Sequence, residues 1–253
     1  MKDDNRFAHH PYNIPVEEKN LFRRSVITPL LFVAVLWIIK LTEEYFHTSF
    51  AFLGIIPLKA QGLVGIVTAP FIHAGYDHLL SNTLPLLVVG TGLFYFYKEI
   101  AFRVIALVWL FTNFWVWIAA RPDAHIGASG LIYGLVCFLF FSGIIRRHTG
   151  LLAISMLVTF LYGSMVWGIL PVSQSISWES HLFGSFAGIA AAVYFRKEGP
   201  QRVVRVWDPE SEPTGPEYWM TEEQKKKFPP PAPTENPQAP FINYIYKDNE
   251  KSN

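Results

Sequence analysis

The apolar residues of this chain fall in long runs separated by short polar stretches, and not at the regular spacing of a soluble amphipathic helix or strand. A run of about 20 apolar residues can cross the roughly 30 Å hydrocarbon core of a bilayer as an α-helix. Six runs approach this length, so the pattern predicts an all-α membrane protein with a bundle of six transmembrane helices. The predicted helices cover residues 26–47, 77–97, 101–120, 129–145, 151–170 and 181–195.

Residues 48–76 are also apolar, but glycines, prolines and a lysine interrupt them. Short, broken runs lie at a membrane interface more often than they cross it. We therefore expect a loop between helices one and two that is partly embedded in one leaflet of the membrane.

The two ends of the chain have a different composition. Residues 1–20 form a polar tail, and residues 197–253 include ten prolines between Pro200 and Pro240. A proline-rich polar segment cannot bury a core and is typical of disorder. The membrane domain is thus predicted at residues 21–196, followed by a disordered tail.

Composition supports the membrane interpretation and excludes several classes of function. Hydrophobic residues make up 51% of the chain and charged residues 16%, against about 25% charged residues in soluble domains. A net charge of +1 without a basic stripe gives no sign of a nucleic-acid partner. A single cysteine, Cys137, cannot form a disulfide framework or a cysteine metal site. The first 20 residues lack an apolar core, so no cleavable signal peptide is expected.

Lysine and arginine are distributed unevenly over the predicted loops. With six spans, the basic residues of both tails and of two inter-helix loops fall on one side, whereas the opposite side holds only Lys59 and Arg121. The positive-inside rule then places both termini in the cytoplasm. This topology fits an integral protein of a bacterial plasma (inner) membrane.

Predicted helices two, four and six begin on the outer side, and each carries polar groups near its beginning. These groups are His78 with Asn82, Ser129, and His181. Polar and ionisable groups inside membrane spans are costly and mark function by default. Their common depth therefore indicates one site.

Small residues spaced four apart on predicted helices four and six allow two helix backbones to approach closely. A crossing of these two faces brings Ser129 and His181 together at the outer ends of their helices. The two pairs are Gly130 with Gly134, and Gly184 with Gly188.

The residue types suggest acyl-transfer chemistry. A serine at a helix N-terminus is favoured by free N–H groups and the positive end of the helix dipole, although Gly-Ala-Ser-Gly alone is more often a packing element. A neutral imidazole at His181 can accept the Ser129 proton. Tyr133 lies one turn below Ser129, so its ring is predicted to stack on His181. His78 and Asn82 share one helix face and can donate hydrogen bonds to an oxyanion, together with the Ser129 N–H.

These pieces resemble the rhomboid family of intramembrane serine proteases over about residues 21–196. The matching motifs are His73-Ala-Gly-Tyr-Asp-His78 with Asn82, then Gly127-Ala-Ser129-Gly130 with Tyr133, and then Ser180-His181-Leu-Phe-Gly184 with Gly188.

The resemblance implies a Ser129–His181 dyad without a catalytic carboxylate, and an oxyanion site that uses Ser129, His78 and Asn82. It implies support from Tyr133, Gly127, Gly130 and His73, and no metal, nucleotide or other cofactor. The implied partners are the lipid bilayer and transmembrane substrate proteins, cut at small or helix-destabilising residues near the outer face. No oligomeric state is predicted.

Two features depart from the family pattern or stay open. Many members carry a Trp-Arg pair in the loop between helices one and two, and residues 48–72 contain neither residue, which leaves the anchoring of this loop open. Asp77, Asp123 and Glu179 lie on the correct side to be a third member of a triad. Asp77 is more naturally a helix cap, and sequence spacing excludes neither of the other two.

Two alternative functions compete with proteolysis. One is a catalytically silent rhomboid-like protein that binds transmembrane helices, although such relatives typically lack the serine or the histidine. The other is a metal enzyme with ligands from His73, His78 and His181, since imidazole suits zinc. That alternative lacks the H-E-x-x-H pattern of helical zinc sites and leaves Ser129 without a role.

Overall fold

The computed structural model describes residues 16–161, 167–171, 176–200 and 221–227, and the regular secondary structure of these residues is helical. One compact unit, Met1–Gln201, contains helices α1 to α7. They are Val16–Tyr45, Gly65–Thr68, Tyr76–Phe96, Ala101–Ala119, Ser129–Arg146, Thr149–Leu161 and Trp178–Tyr194.

The second unit, Arg202–Asn253, contains one described helix, α8, at Glu222–Lys227. The prediction of a disordered tail falls mostly on residues 201–220 and 228–253, which lie outside the described residues. Most of the predicted N-terminal tail also lies outside them, and its last residues, 16–20, belong to α1.

Among the residues that the structure describes, four helices are long and apolar enough to cross a membrane, namely α1 from Glu18 onward, α3, α4 and α5. The protein is therefore a multi-pass membrane protein. The other two predicted spans are present as α6, with 13 residues, and α7, with 17. A span needs about 17–25 residues, so α6 is too short and α7 is at the lower limit, and the count of six spans stays a prediction.

Three helix ends differ from the predicted ones by three residues or more. α1 begins at Val16 instead of residue 26, because glutamate, lysine and arginine favour a helix even where they disfavour a membrane. α6 ends at Leu161 instead of residue 170, and Trp167–Ile169 forms a 3₁₀ turn, since apolarity alone does not distinguish a helix from an apolar turn. α7 begins at Trp178, three residues before the predicted start.

The segment between α1 and α3 is a chain of short turns, as the broken apolar pattern predicts. Three side chains on one face of α4 hold it in place. The indole of Trp109 and the amide of Asn113 donate to the carbonyl oxygen of Ile66 at 3.0 and 2.8 Å, and the Trp117 indole donates to that of Lys59 at 3.0 Å. These contacts anchor the loop in a chain that lacks the Trp-Arg pair.

A charged pair at the end of α1 holds the two ends of the same segment. The Glu43 carboxylate, which is buried, accepts the Phe50 N–H at 2.6 Å and an N–H of Lys40 at 3.2 Å. The Lys40 ammonium also donates to the carbonyl oxygen of His73 at 3.3 Å. The backbone that leads to His78 is therefore tied to α1.

Helices α5 and α7 cross at their glycines, as the small-residue spacing predicts. A Cβ atom at Gly184 would overlap the Gly130 carbonyl, and one at Gly188 would overlap the Gly134 carbonyl. Backbone-to-backbone contact of this kind requires glycine. The crossing fixes the first residue of α5 beside the first turns of α7.

Candidate active site

Ser129 and His181 are in direct contact. Ser129 is the first residue of α5 and His181 is the fourth residue of α7. The Ser129 Oγ lies 2.8 Å from His181 Nε2, which is a normal hydrogen-bond length. The two residues that the sequence analysis placed at the centre of the site therefore meet.

A backbone carbonyl determines which ring nitrogen of His181 carries the proton. The Nδ1 atom lies 2.8 Å from the Gly168 carbonyl oxygen, and a carbonyl can only accept. Nδ1–H therefore donates to Gly168, which leaves the Nε2 lone pair free to accept the Ser129 O–H. This is the tautomer that a general base for the serine requires.

Gly168 is a site residue that the sequence analysis missed. A Cβ atom at this position would overlap the Tyr133 hydroxyl and lie 3.1 Å from His181 Nδ1, so only glycine brings a carbonyl this close. The prediction placed residue 168 in the last turn of a helix that ends at residue 170, where a carbonyl has no partner within its own helix, but it gave no indication of which group that carbonyl would meet. A glycine near the end of a long apolar run was the only available signal.

The predicted contact of Tyr133 with His181 is present. The two rings are parallel to within 5°, and their centroids are 4.1 Å apart. Tyr133 lies one turn after Ser129 on α5, so a single helix supplies both the hydroxyl and the surface on which the imidazole rests. The stack leaves Nε2 at the ring edge, directed at Ser129.

A cavity of about 660 Å³ opens over these residues, and α3, α5 and α7 all contribute from their N-terminal turns. Its walls include Ser129, His181, Tyr133, Gly168, His78 and Asn82. Asn82 is 4% exposed, and its Nδ2 has no hydrogen-bond partner among the described residues. Buried amide groups are nearly always paired, so this N–H group is available to a ligand in the cavity.

The ring of His78 packs against the backbone of Gly127. The Gly127 backbone has a φ angle of +109°, and a Cβ atom would lie 2.6 Å from Cε1 and 2.7 Å from Nε2 of His78. Gly130 is buried and faces Ser180, whose carbonyl would lie 3.0 Å from a Cβ atom. Neighbouring protein atoms therefore occupy the space that a side chain would need at both positions.

His73 lies behind the cavity, where its ring contacts that of His78 with centroids 5.1 Å apart. It is buried, and its Nε2 lies 3.5 Å from the Ala128 N–H. Burial lowers the pKa of His73 to about 4, and the charges of His78 and Lys40 act in the same direction. A neutral His73 can accept the Ala128 N–H, which ties the residue before Ser129 to the segment that carries His78.

Neither of the two carboxylates that the sequence left open makes a hydrogen bond to His181 in the described structure. Glu179 faces Arg121, with 3.6 Å between Oε1 and Nε. Asp123 also faces Arg121 at 3.8 Å and accepts the Ala124 N–H at 2.8 Å. Both ring nitrogens of His181 are already bonded to Ser129 and Gly168, so neither is left to bond a carboxylate.

The metal alternative has no assembled site in the part of the chain that the structure describes. No three side chains among its histidines, cysteines, aspartates and glutamates converge as metal ligands would. His181, which that alternative required, instead directs its nitrogens at Ser129 and Gly168.

Known proteins are similar to this chain over the same region. The family model of the Rhomboid domain matches residues 60–198, which is more than half of the chain. Uncharacterized proteins of Mycobacterium tuberculosis and Mycobacterium bovis are each 35% identical over 187 residues, covering 70% of this chain and 77% of the relative. An uncharacterized protein of Mycobacterium leprae is 35% identical over 188 residues, covering 71% of this chain and 74% of the relative.

Proposed function

The chain belongs to the rhomboid family, and from this membership and the Ser129–His181 contact we propose that it is an intramembrane serine endopeptidase. The observation that carries the proposal is the 2.8 Å distance between Ser129 Oγ and His181 Nε2, with Nδ1–H bonded to Gly168. A serine that only packs between helices does not require a histidine held in the tautomer of a general base, whereas a serine nucleophile does.

In the first half of the reaction, His181 Nε2 takes the Ser129 proton as Oγ attacks the substrate carbonyl carbon. The carbonyl π electrons move to oxygen and form a tetrahedral oxyanion. When this intermediate collapses, the C–N bond breaks and the His181 imidazolium gives its proton to the leaving amine. The amine product leaves, and an acyl ester remains on Ser129.

In the second half, neutral His181 removes a proton from water, and the resulting hydroxide attacks the ester carbonyl. Collapse of this second intermediate breaks the C–O bond to Ser129. The His181 imidazolium returns its proton to Ser129 Oγ, and the carboxylic acid product leaves. The cycle needs no other reactant than water and the substrate.

We propose that three groups stabilise the oxyanion. Ser129 is the first residue of α5, where the helix leaves its N–H groups unpaired. Asn82 Nδ2 has no partner within the described residues, and the His78 ring lines the same cavity. Preorganised donors of this kind supply much of the rate enhancement in acyl transfer.

The imidazolium intermediate is stabilised without a hydrogen bond to a carboxylate. The Gly168 carbonyl accepts Nδ1–H in both protonation states, and its dipole favours the charged state. The Tyr133 ring lies parallel to His181 at 4.1 Å, close enough for a cation–π interaction. These two contacts take the place of the aspartate found in many serine proteases.

The substrates proposed for this site are transmembrane helices with small or helix-destabilising residues close to the membrane surface. The dyad lies at the N-terminal ends of α5 and α7, and the positive-inside distribution of lysine and arginine puts these ends on the outer side. We accordingly place the protein in a bacterial plasma membrane with both termini in the cytoplasm.

The test is to label the purified full-length protein with a fluorophosphonate and to measure cleavage of a transmembrane reporter. Labelling and cleavage should both occur, and both should be lost in Ser129→Ala and His181→Ala. Ser25→Ala is the matched control, because Ser25 is a buried helical serine that bonds its own helix at the Leu21 carbonyl. Cleavage by Ser129→Ala would refute the proposal, and helix binding without labelling would favour the catalytically silent alternative.

A further inference from the structure

His125 is a buried histidine that the proposed reaction does not use. It is 2% exposed, although it lies in a loop four residues before Ser129. Both of its ring nitrogens are bonded. Nδ1 is 2.6 Å from the Ser177 hydroxyl, and Nε2 is 3.0 Å from the Arg121 carbonyl oxygen. A buried imidazole with two partners connects the segments that supply them.

The direction of each hydrogen bond follows from the chemistry of the groups. The Arg121 carbonyl can only accept, so Nε2–H donates to it and Nδ1 carries the lone pair. The Ser177 O–H then donates to Nδ1. The Ser180 hydroxyl, 2.6 Å from Ser177 Oγ, donates to that oxygen in turn. The result is one ordered chain of hydrogen bonds from Ser180 to Arg121.

Ser177 connects this chain to the catalytic base. It is the N-cap residue of α7, and its carbonyl accepts the N–H groups of Ser180 at 3.1 Å and His181 at 3.4 Å. Fixing the Ser177 side chain therefore fixes the first turn of the helix that presents His181. That turn makes no side-chain capping bond of its own.

The backbone of His125 belongs to a second connection. Its N–H and C=O each bond to Ile55 at 2.9 Å, which forms an isolated antiparallel bridge. The loop that delivers Ser129 is thereby held to the segment between α1 and α3. His125 is thus joined to the start of α7 through its side chain and to the segment between α1 and α3 through its backbone.

We propose that His125 is a positioning residue that sets the distance between Ser129 and His181 by clamping the nucleophile loop to the first turn of α7 through Ser177. The inference rests on the proposed protease function. His125 acts through Ser177 and does not exchange a proton with the substrate. Proton transfer depends steeply on the donor–acceptor distance, and a misplacement of about 1 Å can cost about a hundredfold in rate.

The test compares variants that keep the hydrogen-bonding role of one ring nitrogen or of neither. His125→Asn retains an acceptor near the place of Nδ1, His125→Gln retains a donor near the place of Nε2, and His125→Phe retains only the shape. The second-order rate of fluorophosphonate labelling should fall about tenfold or more in the Phe and Gln variants and stay near wild type in the Asn variant. With a reporter, kcat should fall while KM stays close to wild type.

Ser177→Ala should reproduce the loss, and the double variant His125→Phe/Ser177→Ala should lose no more than the worse single variant, since both single variants already break the same His125–Ser177 hydrogen bond. Additive losses, equal losses in the Asn and Gln variants, or a normal labelling rate in Ser177→Ala would overturn the proposal. Ser177→Ala alone decides the question if His125→Phe does not fold. A wild-type protein that is neither labelled nor active would instead overturn the protease function.

Discussion

Asn82 offers the sharpest test of the site, because stability and activity should respond in opposite directions. Its Nδ2 is buried without a partner among the described residues. An unpaired buried polar group costs about 1–3 kcal/mol of stability. Asn82→Leu removes that group at similar volume, so the variant should unfold at a higher temperature. For a protein of this size, each 1 kcal/mol corresponds to about 2–4 °C.

The same change should damage catalysis. Removal of one oxyanion donor typically lowers kcat by about 10²–10³, or about 2.7–4 kcal/mol of transition-state stabilisation. Because an oxyanion exists only in the transition state and the intermediate, KM should change little. Asn82→Asp, which is nearly isosteric, should be at least as damaging, since a carboxylate repels the oxyanion.

The assay is steady-state cleavage of a transmembrane reporter in detergent micelles, together with thermal unfolding of the same preparations. Ser25→Ala serves as the control for a buried polar substitution in a distant helix. A variant Asn82→Leu that is less stable and fully active would show that Asn82 is a structural residue. The oxyanion role would then be refuted.

Three further outcomes follow from the site. Tyr133→Phe should retain most of the labelling rate, because it keeps an aromatic ring stacked on His181. Tyr133→Leu should be labelled about tenfold more slowly, which corresponds to the upper end of the about 0.5–1.5 kcal/mol that an aromatic contact contributes. Equal labelling rates in the two variants would show that the stack is not used. Gly127→Ala should lower kcat strongly, because the new Cβ would lie 2.6 Å from the His78 ring and the φ angle of +109° disfavours a side chain. An active Gly127→Ala variant whose crystal structure shows His78 unmoved would contradict this prediction. Incubation with a chelator should leave cleavage unchanged, and inhibition that zinc reverses would revive the metal alternative.

The sequence predicted the middle of the bundle well. The structure places α3, α4 and α5 within one residue of the predicted bounds, because each apolar run there ends at a polar or small residue. The glycine spacing also predicted the α5–α7 crossing. Both signals are local in sequence, and a single chain displays them directly.

The contacts that complete the site are not local, and sequence reasoning did not find them. The Gly168 carbonyl reaches His181 across a turn that hydropathy takes for a continuing helix. The Trp109 and Asn113 donors on α4 hold the loop at Ile66, but their spacing of four is equally typical of a membrane-facing helix surface. A carbonyl acceptor leaves no mark on the sequence, because every residue has one.

The question of a third catalytic carboxylate shows how one helix boundary decides a chemical assignment. With the helix assumed to begin at His181, Glu179 lay in a loop and was free to turn toward the imidazole. The structure begins α7 at Trp178, so Glu179 and His181 stand two residues apart on a helix, and residues at that spacing point to different faces. Glu179 therefore pairs with Arg121 instead. This geometry supports the proposed dyad, and Glu179→Gln should consequently disturb the Arg121 contact and leave the fluorophosphonate labelling rate close to that of the wild type. A labelling rate about a hundredfold lower in a folded Glu179→Gln variant would show that the carboxylate serves His181 after all.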